Sequence, residues 1–366
     1  MKRFIPFLGV LILLTLCLSC GDPDTYETPY PGSYSGRILF FHGLDETIAL
    51  FDPAEDTLYP NIVPTESAPN HLLFWKDSLF VTNSLSNSIQ KFSYDSEKGL
   101  IYQGRLFLGA NKNPWMIIPV DPQGRDPRGF VPCYLSGEIV IVNLEDFTLG
   151  ERVIPAGRNP QGGAASEGRL YVGNVGFNGW TSDPFDPGTL TVVDLYSEAV
   201  VDTIVLADAY NPQMILPFPS LGEIHVVCTG SQGANDGTIV ILSDTSYQES
   251  TRLPLGGSPS WAEGGIDPVG KIVYLSGVGG LQAYKYESRE ILGEDSGQGW
   301  YSYKGGDAIE DLWSGVFYDT RYDALYVCRS AEDKLIRLRK DSSGGWREQG
   351  VWDTYNYPQG NFILLP

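Results

Sequence analysis

Short runs of alternating apolar and polar residues recur along the chain from residue 36 to its end. The runs at residues 79–83, 170–174 and 325–329 are typical, each with apolar side chains at a period of two. That period indicates β-strands, because successive side chains of a strand point to opposite faces of a sheet. No amphipathic pattern with the 3.6-residue period of a helix reaches a useful length. The pattern therefore predicts an all-β protein.

A proline-containing turn separates these runs at nearly constant spacing. Successive prolines from Pro69 to Pro259 lie 45, 46, 52 and 47 residues apart, and the 99 residues from Pro259 to Pro358 hold two such periods. The missing turn is expected near residues 306–308, where proline is absent. The visible turns are Pro69-Asn70, Asn113-Pro114, Asn159-Pro160-Gln161, Asn211-Pro212-Gln213, Ser258-Pro259-Ser260 and Tyr357-Pro358-Gln359.

Each period holds four predicted strands, which is typical of a β-propeller blade. Three predicted strands precede the first turn and one follows the last, so we expect them to share a blade and close the ring without a free sheet edge. The prediction is a single seven-bladed β-propeller over residues 36–366. Its blades are expected at residues 69–110, 114–157, 160–208, 212–256, 259–304, 308–354, and 358–366 plus 36–66.

The alternating run of each period resembles the repeat of the YVTN-repeat (YncE-like) propeller lipoproteins, a family of exported bacterial and archaeal surface proteins. Leu79-Phe80-Val81-Thr82-Asn83 and Leu170-Tyr171-Val172-Gly173-Asn174 match the motif best. The resemblance covers residues 36–366 and implies the propeller fold. It leaves function open, because propellers include both binding proteins and enzymes. Four blades replace the final Asn of the motif, by Cys133, Cys228, Gly277 and Arg329.

The N-terminus has the pattern of an export signal. A basic head at Lys2 and Arg3 precedes an apolar run over residues 4–18, which is shorter than the roughly 20 residues of a membrane-spanning helix. Leu18-Ser19-Cys20 resembles the bacterial lipobox, which implies cleavage after residue 19 and lipidation of Cys20. Ordinary cleavage and secretion is the alternative. We therefore expect a signal peptide at residues 1–19, a lipidated tether at 20–35, and a protein anchored to a membrane of the bacterial cell envelope, periplasmic or at the cell surface.

The net charge, the cysteines and the histidines limit the partners and the chemistry expected of this protein. The net charge of −20 is unfavourable for contact with a phosphate backbone, so no nucleic acid partner is expected. Cys133, Cys228 and Cys328 fall at equivalent strand positions of separate blades, too far apart for a disulfide, and we interpret them as small buried side chains. The three histidines show no close pair of the kind that zinc sites use. We find no nucleophile elbow, phosphate-binding loop or metal motif, so the sequence predicts no catalytic residues, no metal site and no cofactor.

The candidate ligand site is the propeller face formed by the loops that join strand four to strand one and strand two to strand three. We call it the Pro-turn face. Aromatic rings and amides collect there, which suits a polar organic ligand. A long loop at residues 176–188 adds two carboxylates that form a weak candidate for calcium. The candidate residues are Asn70, His71, Trp115, Gln161, Trp180, Asp183, Asp186, Asn211, Gln213, Trp261 and Gln359.

Three hypotheses for function follow from this picture. The first is a non-catalytic propeller that binds a small ligand, or a membrane or protein partner such as an outer-membrane transporter, on the Pro-turn face. The second is a propeller enzyme of the lactone hydrolase or quinoprotein dehydrogenase type, for which Asp307 and Glu310 are the nearest carboxylates to the channel mouth. The third is a structural or adhesive scaffold. The lack of a catalytic constellation favours the first.

Overall fold

The computed structural model describes residues 32–179, 185–231, 236–255, 258–259, 264–278, 280–292, 312–342 and 345–366. Within these ranges the chain forms seven antiparallel sheets and two short 3-10 helices, at Pro219–Leu221 and Ser330–Glu332. Six of these sheets pair strands that follow one another in the chain, and the seventh adds the C-terminal strand to the first three, as in a closed propeller. The predicted all-β, seven-bladed propeller is confirmed.

The first four blades each contain four consecutive strands. The sheet orders are β4-β5-β6-β7, β11-β10-β9-β8, β12-β13-β14-β15 and β16-β17-β18-β19 for strands that we number along the chain. Blade 1 comprises β4 (Pro69–Trp75), β5 (Ser78–Asn83), β6 (Ser88–Asp95) and β7 (Gly99–Phe107); blade 2, β8 (Ile118–Pro119), β9 (Arg128–Cys133), β10 (Glu138–Asn143) and β11 (Thr148–Pro155); blade 3, β12 (Pro160–Ser166), β13 (Arg169–Asn174), β14 (Pro187–Asp194) and β15 (Ala199–Tyr210); blade 4, β16 (Pro212–Phe218), β17 (Glu223–Cys228), β18 (Thr238–Ser243) and β19 (Glu249–Pro254).

Blades 5 to 7 vary this plan. In blade 5 the first strand consists of two short pieces, which both pair with the second strand. Blade 7 joins the two ends of the chain. Blade 5 comprises β20 (Ser258–Pro259), β21 (Gly265–Asp267), β22 (Ile272–Val278), β23 (Gly280–Lys285) and β24 (Glu290–Leu292); blade 6, β25 (Trp313–Asp319), β26 (Ala324–Arg329), β27 (Lys334–Lys340) and β28 (Trp346–Asp353); blade 7, β29 (Pro358–Leu364), β1 (Ile38–His42), β2 (Thr47–Asp52) and β3 (Thr57–Pro64).

Ring closure follows the predicted split of three strands and one. The C-terminal strand β29 pairs antiparallel with β1, and the sheet order is β29-β1-β2-β3. The C-terminal strand is therefore the first strand of a blade whose other three strands come from the N-terminal part of the chain. Closure in this way leaves no unpaired inner strand to attract another chain.

The hydrophobic core lies between neighbouring blades. Each buried cluster combines side chains of two adjacent sheets, for example Phe51 of blade 7 with Tyr326 of blade 6, whose ring centroids are 5.4 Å apart. The middle strands are buried on both faces, and residues 38–42 and 47–52 have no exposed position. Because every blade packs against two others, the first strands are held close together around a central channel.

The packed region begins earlier than expected. Tyr34 is fully buried and belongs to a core cluster with Leu39 and Leu365 of blade 7 and Phe92 and Leu100 of blade 1. The sequence placed residues 20–35 in a tether, because this segment is rich in proline, aspartate, threonine and tyrosine. The structure shows instead that the chain is fixed from at least residue 34.

Candidate functional site

The turns that begin the first strands have a common backbone geometry. The residue before proline takes a positive φ, between 50° and 59°, in five blades. Asparagine tolerates this left-handed conformation better than most residues, which explains why Asn-Pro recurs in the sequence. The residues concerned are Ala68, Asn113, Asn159, Asn211 and Tyr357.

In six blades of the described chain, the same backbone hydrogen bond links the turn to the end of the second strand. The N–H that follows the second strand donates to the carbonyl of the residue that precedes the first strand, at 2.8–3.1 Å. The bond is present in six blades, and in blade 6 Leu312 and Trp313 stand where the others have a residue and proline. The seventh turn was expected near residues 306–308, which lie outside the described residues, and the equivalent position in the structure is Leu312-Trp313. The pairs are Ser84–Ala68, Tyr134–Asn113, Val175–Asn159, Thr229–Asn211, Ser330–Leu312 and Gly43–Tyr357.

A β-bulge directly after the turn directs side chains into the channel. In blades 1, 3 and 4 the pairing register shifts between the proline and the residue two or three positions later. A bulge interrupts strict alternation, so neighbouring residues both face the channel instead of pointing to opposite sides. Asn70 and His71 of β4 both line the channel for this reason, as do Gln213 and Met214 of β16.

A cavity of about 210 Å³ occupies the channel at this level. It is larger than the roughly 150 Å³ that holds a benzene molecule and smaller than the roughly 300 Å³ at which sites for drug-sized ligands begin. Six of the seven blades contribute to its wall. The lining residues are Phe41, Asn70, His71, Trp115, Met116, Gly162, Gly163, Gln213, Met214, Ile215, Leu216, Gly264, Ile266, Gln359 and Asn361.

Three amide side chains in this wall, those of Asn70, Gln213 and Asn361, each have one buried atom without a partner among the described residues, and in Asn70 this atom is Nδ2. Asn361 is 3% exposed; its Oδ1 accepts a hydrogen bond from the N–H of Leu72, and its Nδ2 is unpaired. Gln213 is 8% exposed; its Nε2 donates to Oδ1 of Asn211, and its Oε1 is unpaired. Since a buried polar atom without a partner costs about 1–3 kcal/mol, these atoms favour a ligand or ordered water in the cavity.

The sequence-based candidates divide into four groups. Asn70, His71, Trp115, Gln213 and Gln359 line the cavity. Gln161 and Asn211 are buried beside it without contributing to its wall, and Asn211 positions Gln213. Asp186 lies in the long loop of blade 3. The remaining candidates, Cys20, Trp180, Asp183, Trp261, Asp307 and Glu310, lie outside the described residues.

The carboxylate of Asp186 is engaged away from the cavity. It accepts a hydrogen bond from Nδ2 of Asn178 at 2.7 Å and lies 3.4 Å from the guanidinium of Arg158. These contacts hold the base of the loop, together with the Phe177–Phe185 ring contact at 5.5 Å. Among the described residues, no group of three or more histidine, cysteine, aspartate or glutamate side chains is placed to hold a metal ion.

Several lining residues were not predicted from the sequence. Asn361 lies three positions after its proline, and Met116 and Met214 lie two positions after theirs. The sequence feature that could have identified these residues is their distance from the proline, which is two or three positions in each case. The bulge hid this signal, because an alternating pattern assigns adjacent residues to opposite faces.

His42 takes the place of the motif asparagine in blade 7. In blade 3, Asn174 accepts a hydrogen bond from Gly157 N–H at 3.0 Å and donates to Thr189 Oγ1 at 3.0 Å. His42 repeats both contacts: Nε2 accepts from Tyr355 N–H at 3.2 Å, and Nδ1 lies 2.9 Å from Thr47 Oγ1. The neutral ring with its proton on Nδ1 satisfies both partners. Burial lowers the pKa of His42 to about 4, against the opposing effect of Asp45 and Asp333.

Replacing His42 by asparagine should reduce the sensitivity of folding to acid. The pKa of His42 is about 4 in the folded protein and about 6.5 when unfolded, so the unfolded chain takes up a proton between these values. Its contribution to stability is therefore complete above pH 6.5 and is lost as the pH falls toward 4, by about 3 kcal/mol. Asparagine keeps both contacts and cannot titrate. Urea unfolding at pH 7, 6, 5 and 4.5 should show a shallower loss for His42→Asn than for the wild type, whereas parallel curves would contradict this role.

The three cysteines outside the N-terminal segment are buried and unpaired. Burial raises the pKa of Cys133 and Cys228 to about 12, so their reactive thiolate forms are scarce at neutral pH. Cys133, Cys228 and Cys328 lie in three different core clusters. This agrees with their interpretation as small packing residues.

Comparison with known proteins identifies the fold only. No family model matches the chain, and no curated protein matches it in sequence. Among solved structures, a functionally unknown protein from Desulfotomaculum acetoxidans aligns with a TM-score of 0.66 and 10% identity, over 90% of this chain and 99% of that one. A hypothetical selenium-binding protein from Sulfolobus tokodaii aligns with a TM-score of 0.66 and 14% identity, over 94% and 97%. A proposed 6-phosphogluconolactonase from Bacteroides uniformis aligns with a TM-score of 0.64 and 13% identity, over 89% and 99%. The chain is thus a seven-bladed β-propeller similar to these proteins in architecture, and the low identities carry no assignment of activity.

Proposed function

We propose that this protein is a cell-envelope lipoprotein whose propeller binds a small ligand, without catalysis, in the channel cavity of the Pro-turn face. The observation that carries the proposal is that three amide side chains in the wall of one cavity, those of Asn70, Gln213 and Asn361, each have a buried polar atom without a partner among the described residues. The indole of Trp115 and the thioethers of Met116 and Met214 offer apolar surface beside them. A concave, mostly apolar wall with a few oriented polar atoms is the usual form of a small-molecule site.

Binding is favoured over catalysis by the chemistry of the wall. Apart from His71, the described lining side chains do not titrate, and amides are neither nucleophiles nor general acids or bases at neutral pH. The enzyme alternative would need carboxylates or further titrating groups around the same cavity. None of the described lining residues supplies one.

The position of the N-terminal segment is compatible with a membrane anchor. Tyr34 N–H bonds to the carbonyl of Ser96 in the β6–β7 turn, and the carbonyl of Gly36 accepts from Arg321 in the β25–β26 turn. The β6–β7 turn joins strands three and four of blade 1, and the β25–β26 turn joins strands one and two of blade 6. Both turns lie on the face opposite the Pro-turn face. A tether of residues 21–33 reaches about 45 Å when extended. The cavity would then open away from the membrane, where a ligand can enter. No helix in the described part of the chain is both long and apolar enough to cross a bilayer.

Replacing Cys20 by serine should release the protein from the membrane. Serine cannot take the thioether-linked lipid, and without acyl chains the acidic protein has little affinity for a lipid surface. The wild type should partition into the detergent phase and Cys20→Ser into the aqueous phase, and the wild-type mass should include a lipid that is absent from Cys20→Ser. Cys17→Ser is the matched control and should still partition with detergent. Equal partitioning of Cys20→Ser and wild type would contradict the anchor.

Removing the indole of Trp115 should weaken ligand binding at least tenfold. A central aromatic side chain in a site commonly contributes more than 1.4 kcal/mol, which is a factor of ten in Kd. The full-length protein is purified from membranes, and small molecules released on denaturation are identified by mass spectrometry. Tyr196→Ala is the control, because Tyr196 is 97% exposed in the β14–β15 turn on the opposite face. The same released compounds, in equal amounts from both variants, would argue against this cavity as the binding site.

A further inference from the structure

We infer that the ligand of the channel cavity is an uncharged polyhydroxylated compound of about monosaccharide size; this rests on the proposed binding function. The first observation is the absence of formal charge in the wall. None of the described lining residues is a lysine, arginine, aspartate or glutamate, although the chain holds 25 basic and 45 acidic residues. An ionised ligand would lose its hydration there without gaining a partner of opposite charge, which is strongly unfavourable.

The second observation is the kind of hydrogen bond that the wall leaves open. The contact with Leu72 N–H fixes the amide orientation of Asn361, so its unpaired atom is the donor Nδ2, and the unpaired atom of Asn70 is likewise the donor Nδ2. In the Gln213 amide, Nε2 donates to Oδ1 of Asn211, and the acceptor Oε1 has no partner among the described residues. A phosphate or carboxylate only accepts and an ammonium group only donates, so neither can satisfy the two donors and the acceptor together. A hydroxyl donates and accepts, and a compound with several hydroxyls satisfies both.

The third observation is the combination of size and apolar surface. The cavity of about 210 Å³ is too small for a drug-sized molecule and ample for one six-membered ring. Trp115, Met116, Met214 and Ile266 give it an apolar wall. A sugar or cyclitol ring has hydroxyls at its edge and C–H groups on its faces. It therefore matches amides on one side and an indole and thioethers on the other.

The chain provides its own reporters for a test. It contains three methionines, and two of them, Met116 and Met214, line the cavity. Full-length protein labelled with carbon-13 at the methionine methyl groups should thus give two cavity signals, which Met116→Leu and Met214→Leu assign. The probes are matched in size and differ in charge: D-glucose, D-galactose and myo-inositol against D-glucuronate, D-galacturonate, D-glucosamine and glucose 6-phosphate.

At least one neutral probe should shift both methyl signals, with a Kd at least tenfold lower than that of its charged counterparts. Tighter binding by any charged probe would overturn the inference and leave the binding function intact. No shift with any probe would also overturn it, and the cavity would then hold water or another class of ligand. The binding function itself is judged separately, by the compounds released from wild type and Trp115→Ala. If Trp115→Ala does not fold, the methyl titration of the wild type still decides whether the cavity prefers a neutral polyhydroxylated compound.

Discussion

Replacing Tyr34 by alanine should lower the free energy of unfolding by about 3–5 kcal/mol, the usual cost of removing a large aromatic side chain from a core. Tyr34 is fully buried, and its ring lies directly over Gly99, where a Cβ would come within 2.3 Å of the ring. It packs between Leu39 of blade 7 and Phe92 of blade 1. The side chain therefore closes the same junction of the ring at which the two chain ends meet, and its loss weakens that junction.

Urea unfolding at neutral pH measures this effect, with Tyr34→Phe as the matched control. Phenylalanine keeps the ring and its packing, so the free energy of unfolding of Tyr34→Phe should stay within about 1 kcal/mol of the wild-type value. Tyr196→Ala, which removes an exposed ring, should have no measurable effect. If Tyr34→Ala unfolded at the wild-type urea concentration, the packed domain would begin at residue 36 after all.

The sequence predicted the ring, its blade count and its closure because these depend on local signals. Proline fixes φ, and the preceding Asn113, Asn159 or Asn211 accepts a left-handed backbone, so each turn is visible in the sequence. The same signal was missing in blade 6, where Trp313 takes the position of the proline. Tyr34 was missed for a different reason. It stands alone in a segment without alternation, and its burial is decided by residues far away in sequence.

The candidate site was predicted only in part, for reasons that the backbone explains. The turns pointed to amides and aromatic residues at the channel mouth, and Asn70, Trp115 and Gln213 do line the cavity. Asn361 was missed because its strand also carries a bulge, opposite residues 39–41. Which amide atom is left without a partner depends on residues such as Leu72, which is 289 positions away from Asn361 in the chain. A single sequence has no local pattern for such a contact.

Close approach of neighbouring first strands sets the width of the channel. On β25, a Cβ added to Gly315 would lie 1.7 Å from the carbonyl oxygen of Gly360 on β29. On β12, a Cβ on Gly162 would lie 1.7 Å from the carbonyl oxygen of Gln213 on β16. In both pairs, backbone packs against backbone between adjacent blades. Glycine at these positions therefore determines how tightly the ring closes around the cavity.

Replacing Gly315 by alanine should destabilise the protein by about 2–5 kcal/mol. Its φ of +77° is in the left-handed region, which costs a residue with a Cβ about 1–2 kcal/mol. The clash with the Gly360 carbonyl adds an overpacking cost of about 1–3 kcal/mol or more, because a backbone atom cannot turn away as a flexible side chain would.

Two further variants separate the cost of the left-handed backbone from the cost of the clash. Gly168 has a φ of +73° and nothing within 4 Å of an added Cβ, so Gly168→Ala should show the backbone cost alone, about 1–2 kcal/mol. Gly162→Ala should show the clash without a left-handed φ, and it should also narrow the cavity beside Gln213. Unfolding midpoints in urea should therefore fall least for Gly168→Ala and most for Gly315→Ala. Equal losses for Gly315→Ala and Gly168→Ala would mean that the blades can separate at no cost, and that the channel width is not fixed by this contact.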